Sequence, residues 1–153
     1  MKENFRNASR LVVLNEKNEL LIVHMWKVWG IPWGWIDFWE TILEALERES
    51  IEELWIKAEG DKLIFIQDYT DTRKWKYTHF FEYFWTIKNN NDYKNVLETY
   101  KNSSHAFELL EIKWCSLDNL PENFMPKAFP KVLKKYLENK NTFTCEYVTW
   151  MLK

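Results

Sequence analysis

The feature that most limits what this chain can fold into is one capped, acidic helix. Thr41-Ile42-Leu43-Glu44 has the form of a capping box, in which the Thr41 hydroxyl accepts a backbone N–H three residues on and Glu44 reaches back. That box predicts a helix over residues 42–54, with Ile42, Ala45, Leu46 and Leu54 on its buried side. On the same helix Glu49, Glu52 and Glu53 stand at i, i+3 and i+4, a spacing that puts three carboxylates on one face. They repel one another, and nothing basic on that face is expected to compensate them. Mg²⁺ or Mn²⁺, which prefer oxygen ligands, would turn the repulsion into coordination. A Glu-rich helix is more commonly a solvated acidic face, so the spacing alone does not establish a metal site.

The rest of the chain supplies strands around this helix. Leu11-Val12-Val13-Leu14 and Leu20-Leu21-Ile22-Val23, separated by Asn15-Glu16-Lys17-Asn18, predict a β-hairpin. Residues 26–40 hold Gly30, Pro32, Gly34 and five of the ten tryptophans without a sustained period, and are expected to form a loop. Strands are expected over 62–66, 78–84 and 112–115, with a polar loop from Asp68 to Lys76 and turns at Asn89–Asp92 and Leu117–Pro121. Ala128, Val132, Leu133, Tyr136 and Leu137 predict a second amphipathic helix over 127–138. The chain of 153 residues suits one domain, assigned to residues 1–140, with 141–153 an unplaced tail.

Bulk charge narrows the function. With 21 Lys+Arg against 23 Asp+Glu, the net charge of -2 leaves no positive excess for nucleic-acid phosphates. No apolar run reaches the roughly 18 residues of a membrane span, and Met1 to Asn7 lacks the apolar stretch of a signal peptide. Neither nucleic acid nor membrane is expected as a partner, and a cytoplasmic location is expected. Cys115 and Cys145 are isolated and suggest neither a disulfide framework nor a zinc site.

Reading outward from the helix, Gly34 is followed after five residues by Glu40, after seven more by Arg48-Glu49, and then by Glu52-Glu53 and Ile56. This pattern resembles the Nudix box, G-x5-E-x7-R-E-U-x-E-E-x-G-U, with every charged position in place. Trp29-Gly30-Ile31-Pro32 resembles the W-x-[IL]-P that precedes the box, and Trp114 with Leu120-Pro121 resembles a late W…L-P segment. The resemblance spans about residues 8–138 and implies an α/β/α sandwich: a mixed β-sheet with the catalytic helix on one side and a C-terminal helix.

It also implies Mg²⁺-dependent hydrolysis of a pyrophosphate bond in a nucleoside diphosphate linked to another group, with a small nucleotide or nucleotide sugar as substrate. Mn²⁺ is an alternative metal. Glu49, Glu52 and Glu53 would be the metal ligands, and Arg48 would orient one of them, Glu49 or another glutamate of the box, through a charge-assisted fork. Glu40 would brace the loop or touch the metal through water, and Gly34 and Pro32 would shape the phosphate loop. Glu108 and Glu111 are candidates for an extra carboxylate, while His79, His24 and His105 are not singled out. Phe65, Tyr69, Phe80, Phe81 and Tyr83 are able to stack a base, although an aromatic strand run is more often core. Many relatives are dimers, which leaves a homodimer open. The alternative function is a catalytically silent nucleotide sensor on the same fold.

The departures from the family pattern share one residue type. Trp33, Trp39 and Trp55 stand where the family has glycine, and Ser50 where it has an aliphatic residue. The chain has 3 Gly, whereas a typical globular protein of this length has about 11. Tryptophan at a helix end or in a tight phosphate loop is expected to damage both fold and site. One explanation is a degenerate family member. The other, which accounts for the retained carboxylates, is a gene whose UGA codons are read as glycine in the cell. Under it Trp33, Trp39 and Trp55 are glycine in the cell, with Trp26, Trp35, Trp75 and Trp85 as further candidates.

Overall fold

The computed structural model describes residues 2–72 and 76–152. Among the described residues eight strands run β1 Lys2–Val12, β2 Leu20–Met25, β3 Val28–Gly30, β4 Trp33–Trp35, β5 Gly60–Asp71, β6 Lys76–Ile87, β7 Glu111–Cys115 and β8 Glu146–Leu152. They form two sheets, a five-stranded mixed one ordered β4-β1-β6-β5-β8 and a three-stranded one ordered β3-β2-β7. Helices α1 Ile42–Leu54, α2 Val96–Thr99 and α3 Phe129–Glu138 complete the fold with several 3-10 turns.

Alternation along β1 and β2 explains the layering. Val12, Leu14, Leu20 and Ile22 pack into one core with Phe65, Phe84, Phe129 and Leu133, so α3 covers that side. Leu11, Val13, Leu21 and Val23 face the other way into a core with Leu46, Leu54 and Ala58, so α1 covers the opposite side. Apolar residues at consecutive positions are what a strand buried on both faces requires. The result is the α/β/α sandwich expected from the resemblance.

Three expectations need correction. The opening hairpin survives only at its tip, where Leu14 bridges Leu20 and the Leu21 N–H donates to the Val13 carbonyl at 3.0 Å. Beyond it β1 and β2 part into different sheets, because both edges of β1 are taken by β4 and β6. The loop expected over Asp68 to Lys76 is strand at both ends, since β5 continues to Asp71 and β6 begins at Lys76, while residues 73–75 lie outside the described residues. The nominal loop 26–40 contains the short strands β3 and β4, the latter paired to β1 through Gly34 opposite Ser9. Residues 146–152, within the stretch that sequence leaves unplaced, run parallel to β5 from Phe65 opposite Glu146 to Asp71 opposite Leu152. Among the described residues no helix is long and apolar enough to cross a membrane.

Candidate active site

The start of α1 is set as expected. Thr41 Oγ1 accepts the Glu44 N–H at 3.3 Å, and Glu44 accepts the Thr41 N–H at 2.7 Å. Its end is set by Trp55, which adopts φ 66° and ψ 17° and donates its N–H to the Ile51 carbonyl at 3.0 Å. Ser50 is buried and useful: its hydroxyl accepts the Ala58 N–H at 2.8 Å and donates to the Glu47 carbonyl at 2.7 Å, tying the following chain to the helix.

Arg48 is the hub of the acidic face. Its Nε and Nη2 make a two-pronged fork on Glu40 at 3.0 and 2.6 Å, and Nη2 also donates to the Trp35 carbonyl at 2.9 Å. Its Nη1 donates to Glu49 at 2.7 Å and to Glu52 at 3.1 Å. The expectation that nothing basic compensates these carboxylates is therefore wrong, because the long Arg48 side chain curls back along the face. The fork itself falls on Glu40, which Arg48's hydrogen bonds hold below the usual carboxylate range. Glu40 in turn accepts the Asp37 N–H at 2.8 Å, so this pair locks the loop to the helix.

Burial divides the three helical glutamates. Glu53 is only 3% exposed, and burial, then repulsion from Glu49 and Glu108, pushes its carboxyl well above the ordinary range, opposed by the Trp33 N–H. Burial also raises Glu49, against the lowering effect of Arg48. Glycine at position 34 makes room for the Glu49 carboxylate: a Cβ would lie 1.8 Å from its carboxyl carbon and displace it. Pro32 is buried, and its carbonyl accepts the Leu11 N–H at 2.9 Å, pinning the loop to β1.

The helix face opens on a cavity of about 810 Å³ lined by Gly34, Glu49, Glu53, His105 and Glu108 among others. One atom each from Glu49, Glu52 and His105 falls within a 4.8 Å cluster, a donor set of carboxylate oxygens and an imidazole nitrogen. That set, beside a buried high-pKa carboxyl, fits a hard divalent cation. Spacing does not single out His105. It arrives from a loop held by two backbone anchors, its own N–H to the Glu52 carbonyl at 2.8 Å and the Ser103 hydroxyl to the Glu53 carbonyl at 2.7 Å. No sequence signal marks such a loop.

Other candidates sort by position. Glu108 reaches the cavity. Glu111 does not line it, because β7 turns Ile112 inward and Glu111 outward. His79 pairs with Asp68 at 2.5 Å and stacks on Phe5 and Phe81, away from the cavity. Phe65 is core, whereas Tyr69 lines a second, smaller cavity. Trp39 extends into solvent at 98% exposure, so the crowding expected there does not occur. Trp75 lies outside the described residues.

The NUDIX domain family matches residues 4–139. No curated protein sequence matches the chain. Among solved structures, a NUDIX hydrolase from Nitrosomonas europaea aligns at TM-score 0.67 and 15% identity, over 99% of this chain and 82% of that one. A mutator MutT protein from Bacillus halodurans aligns at 0.67 and 18%, over 97% and 90%. An ADP-ribose pyrophosphatase from Streptococcus suis 89-1591 aligns at 0.59 and 18%, over 95% and 98%. At these identities the likeness is one of fold, and the family match together with the glutamate-bearing helix carries the assignment: the chain belongs to the NUDIX domain family of hydrolases.

Proposed function

We propose that this protein hydrolyses a pyrophosphate bond in a nucleoside diphosphate linked to another moiety, using Mg²⁺ or Mn²⁺ held by Glu49, Glu52 and Glu53. The observation that carries this reading is the acidic face of α1, where Glu49 lines the cavity with Glu53 and clusters with Glu52 and His105 in a donor set suited to a cation. Fold neighbours that include an ADP-ribose pyrophosphatase and a UDP-X diphosphatase support the same reaction class. When bound, the metal neutralises phosphate charge and lowers the pKa of a coordinated water.

The chain's own residues supply the rest. Arg48 fixes the carboxylates of Glu49 and Glu52 in orientation and keeps its fork on Glu40, so the helix and the preceding loop move as one piece. Gly34 leaves the space that the Glu49 carboxylate occupies. Glu53, buried at the cavity wall with its pKa raised by burial, would give up its proton as it takes up the cation. His105, clustered with Glu49 and Glu52, would add a nitrogen donor to that set, and Glu108, which also lines the cavity, would orient an attacking water.

The test is release of nucleoside monophosphate from a panel of nucleoside diphosphate derivatives with and without Mg²⁺. Metal-dependent turnover that disappears in Glu53→Gln supports the reading. Tight nucleotide binding with no turnover by the folded protein would instead favour a silent sensor.

A further inference from the structure

Helix α1 ends in carbonyls that no later turn can satisfy. The chain between β6 and β7 supplies two of the missing donors, the Ser103 hydroxyl to the Glu53 carbonyl at 2.7 Å and the His105 N–H to the Glu52 carbonyl at 2.8 Å. Further on, the Leu110 N–H donates to the His24 carbonyl at 2.9 Å, so this segment is tied down on both sides of His105. The anchor at position 105 is main chain on both partners and therefore holds whatever side chain stands there.

That side chain is an imidazole beside the acidic face. Its Nδ1 lies 3.5 Å from Glu52 Oε2, and one donor atom each from Glu49, Glu52 and His105 all lie within 4.8 Å of one another. The 3.5 Å gap is long for a hydrogen bond, but it is the spacing of two ligands each about 2.1 Å from one ion, at an angle of about 110°. Phe107 packs edge-on to the imidazole, with ring centroids 6.1 Å apart at 76°, and narrows the swing of the ring. The sequence pattern that marks the helix ends at Ile56, so position 105 lies outside it. The other two histidines are engaged elsewhere, His24 stacked on Trp29 and His79 paired with Asp68. None of the three donors is a tryptophan, so the donor set is the same whichever way the tryptophan codons are read.

We propose that His105 is a ligand of the cation at this site and that its nitrogen tilts the choice of ion from Mg²⁺ toward divalent first-row transition metals, Mn²⁺ among them. The proposal rests on the hydrolase reading of the same site and adds which ions it prefers and what sets the preference. Mg²⁺ is held through oxygen and parts reluctantly with its water, whereas imidazole suits the transition ions, whose affinity for such a site rises from Mn²⁺ to Co²⁺. Glu49 and Glu52 alone would take either kind of ion. A neutral imidazole as third donor adds affinity for one kind only, and it brings no further negative charge to a face that already carries three glutamates.

The experiment is pulsed electron paramagnetic resonance of Mn²⁺ added to the full chain without nucleotide, so that turnover does not enter. A directly bound imidazole imprints a nitrogen modulation on the Mn²⁺ echo, which is expected in the unaltered chain and absent in His105→Gln. That variant keeps the main-chain anchor and offers oxygen in place of nitrogen. Calorimetric titration should show Mn²⁺ weakened about 10-fold in the variant, Co²⁺ at least as much, and Mg²⁺ by less than about 2-fold. Bound Mn²⁺ with no nitrogen modulation in the unaltered chain, modulation that survives in His105→Gln, or equal weakening of Mn²⁺ and Mg²⁺ would overturn the proposal and leave the hydrolase reading standing. No binding of any of the three ions would overturn both. Nitrogen modulation in a chain that never releases nucleoside monophosphate would overturn only the hydrolase reading.

Discussion

Trp55 closes α1 in the left-handed region at φ 66°, and Trp26 sits at φ 58°. None of the three glycines has a positive φ, so the chain places tryptophan at two of its three described left-handed non-glycine positions. A residue with a Cβ costs about 1 kcal/mol or more there. Trp55→Gly is therefore expected to stabilise the protein by about 1 kcal/mol, a rise of roughly 2–4 °C in Tm for a domain of this size. An unchanged or lower Tm would rule out strain at Trp55. The same geometry predicts UGA at codons 26 and 55 of the gene, and UGG at both would remove the decoding explanation for these positions. Glu53 gives a second residue-scale prediction. Its folded pKa is raised above the ordinary value of 4.5, so the folded state binds the proton more tightly than the unfolded one. The contribution of Glu53 to metal-free stability should be full at acid pH and be lost as pH rises from about 4.5 through the raised folded pKa, with Glu49 acting in the same direction and Glu40, whose pKa is lowered, in the opposite one. Melting in EDTA across pH reads this, and Glu53→Gln should flatten the decline and raise the metal-free Tm at neutral pH. A Tm difference between the unaltered chain and Glu53→Gln that does not change with pH over that window would refute it.

Helix α1 was legible because its signals are local: the Thr41 to Glu44 box, the apolar side and the glutamate spacing all lie within one segment. Thr41→Ala should cost about 1 kcal/mol of stability, measured by denaturant unfolding. What sequence did not show is how a long side chain reorganises that face. The Arg48 fork chose Glu40 across the loop, a contact between residues eight apart that depends on where β4 ends. Arg48→Lys keeps a charge but loses the two-pronged bond, and should lower activity by about 10–100-fold with a small change in Tm. Equal losses of activity and stability would instead mark Arg48 as a purely structural anchor. His105 escaped for the same reason, since a loop anchored by backbone hydrogen bonds to the helix end leaves no period or motif. Glu82 did leave a trace, a lone charge within Phe80-Phe81-Glu82-Tyr83-Phe84, but its partners Arg10, Gln67 and Tyr69 lie on two other strands.

At the scale of the whole molecule, the sandwich follows from Leu11–Leu14 and Leu20–Val23 being apolar on both faces, which demands a helix on each side. Two features stayed hidden. The parting of β1 from β2 depends on which strands claim the edges of β1, and β8 depends on a parallel pairing with β5 across about eighty residues of sequence. Ending the chain at residue 140 would bare the β5 edge and the core contact of Val148, and is expected to lower Tm and promote aggregation. Everything in the molecule's layout converges on α1 facing a cavity with its glutamates. The measurement that tests this most directly is nucleoside monophosphate release from a panel of nucleoside diphosphate derivatives as Mg²⁺ is titrated, on the protein with glycine at 33, 39 and 55, with and without Glu53→Gln. Turnover is expected to require Mg²⁺ and to fall by orders of magnitude in Glu53→Gln. Metal-independent turnover, or none from a folded and nucleotide-binding protein, would contradict the assignment of α1 as the catalytic helix.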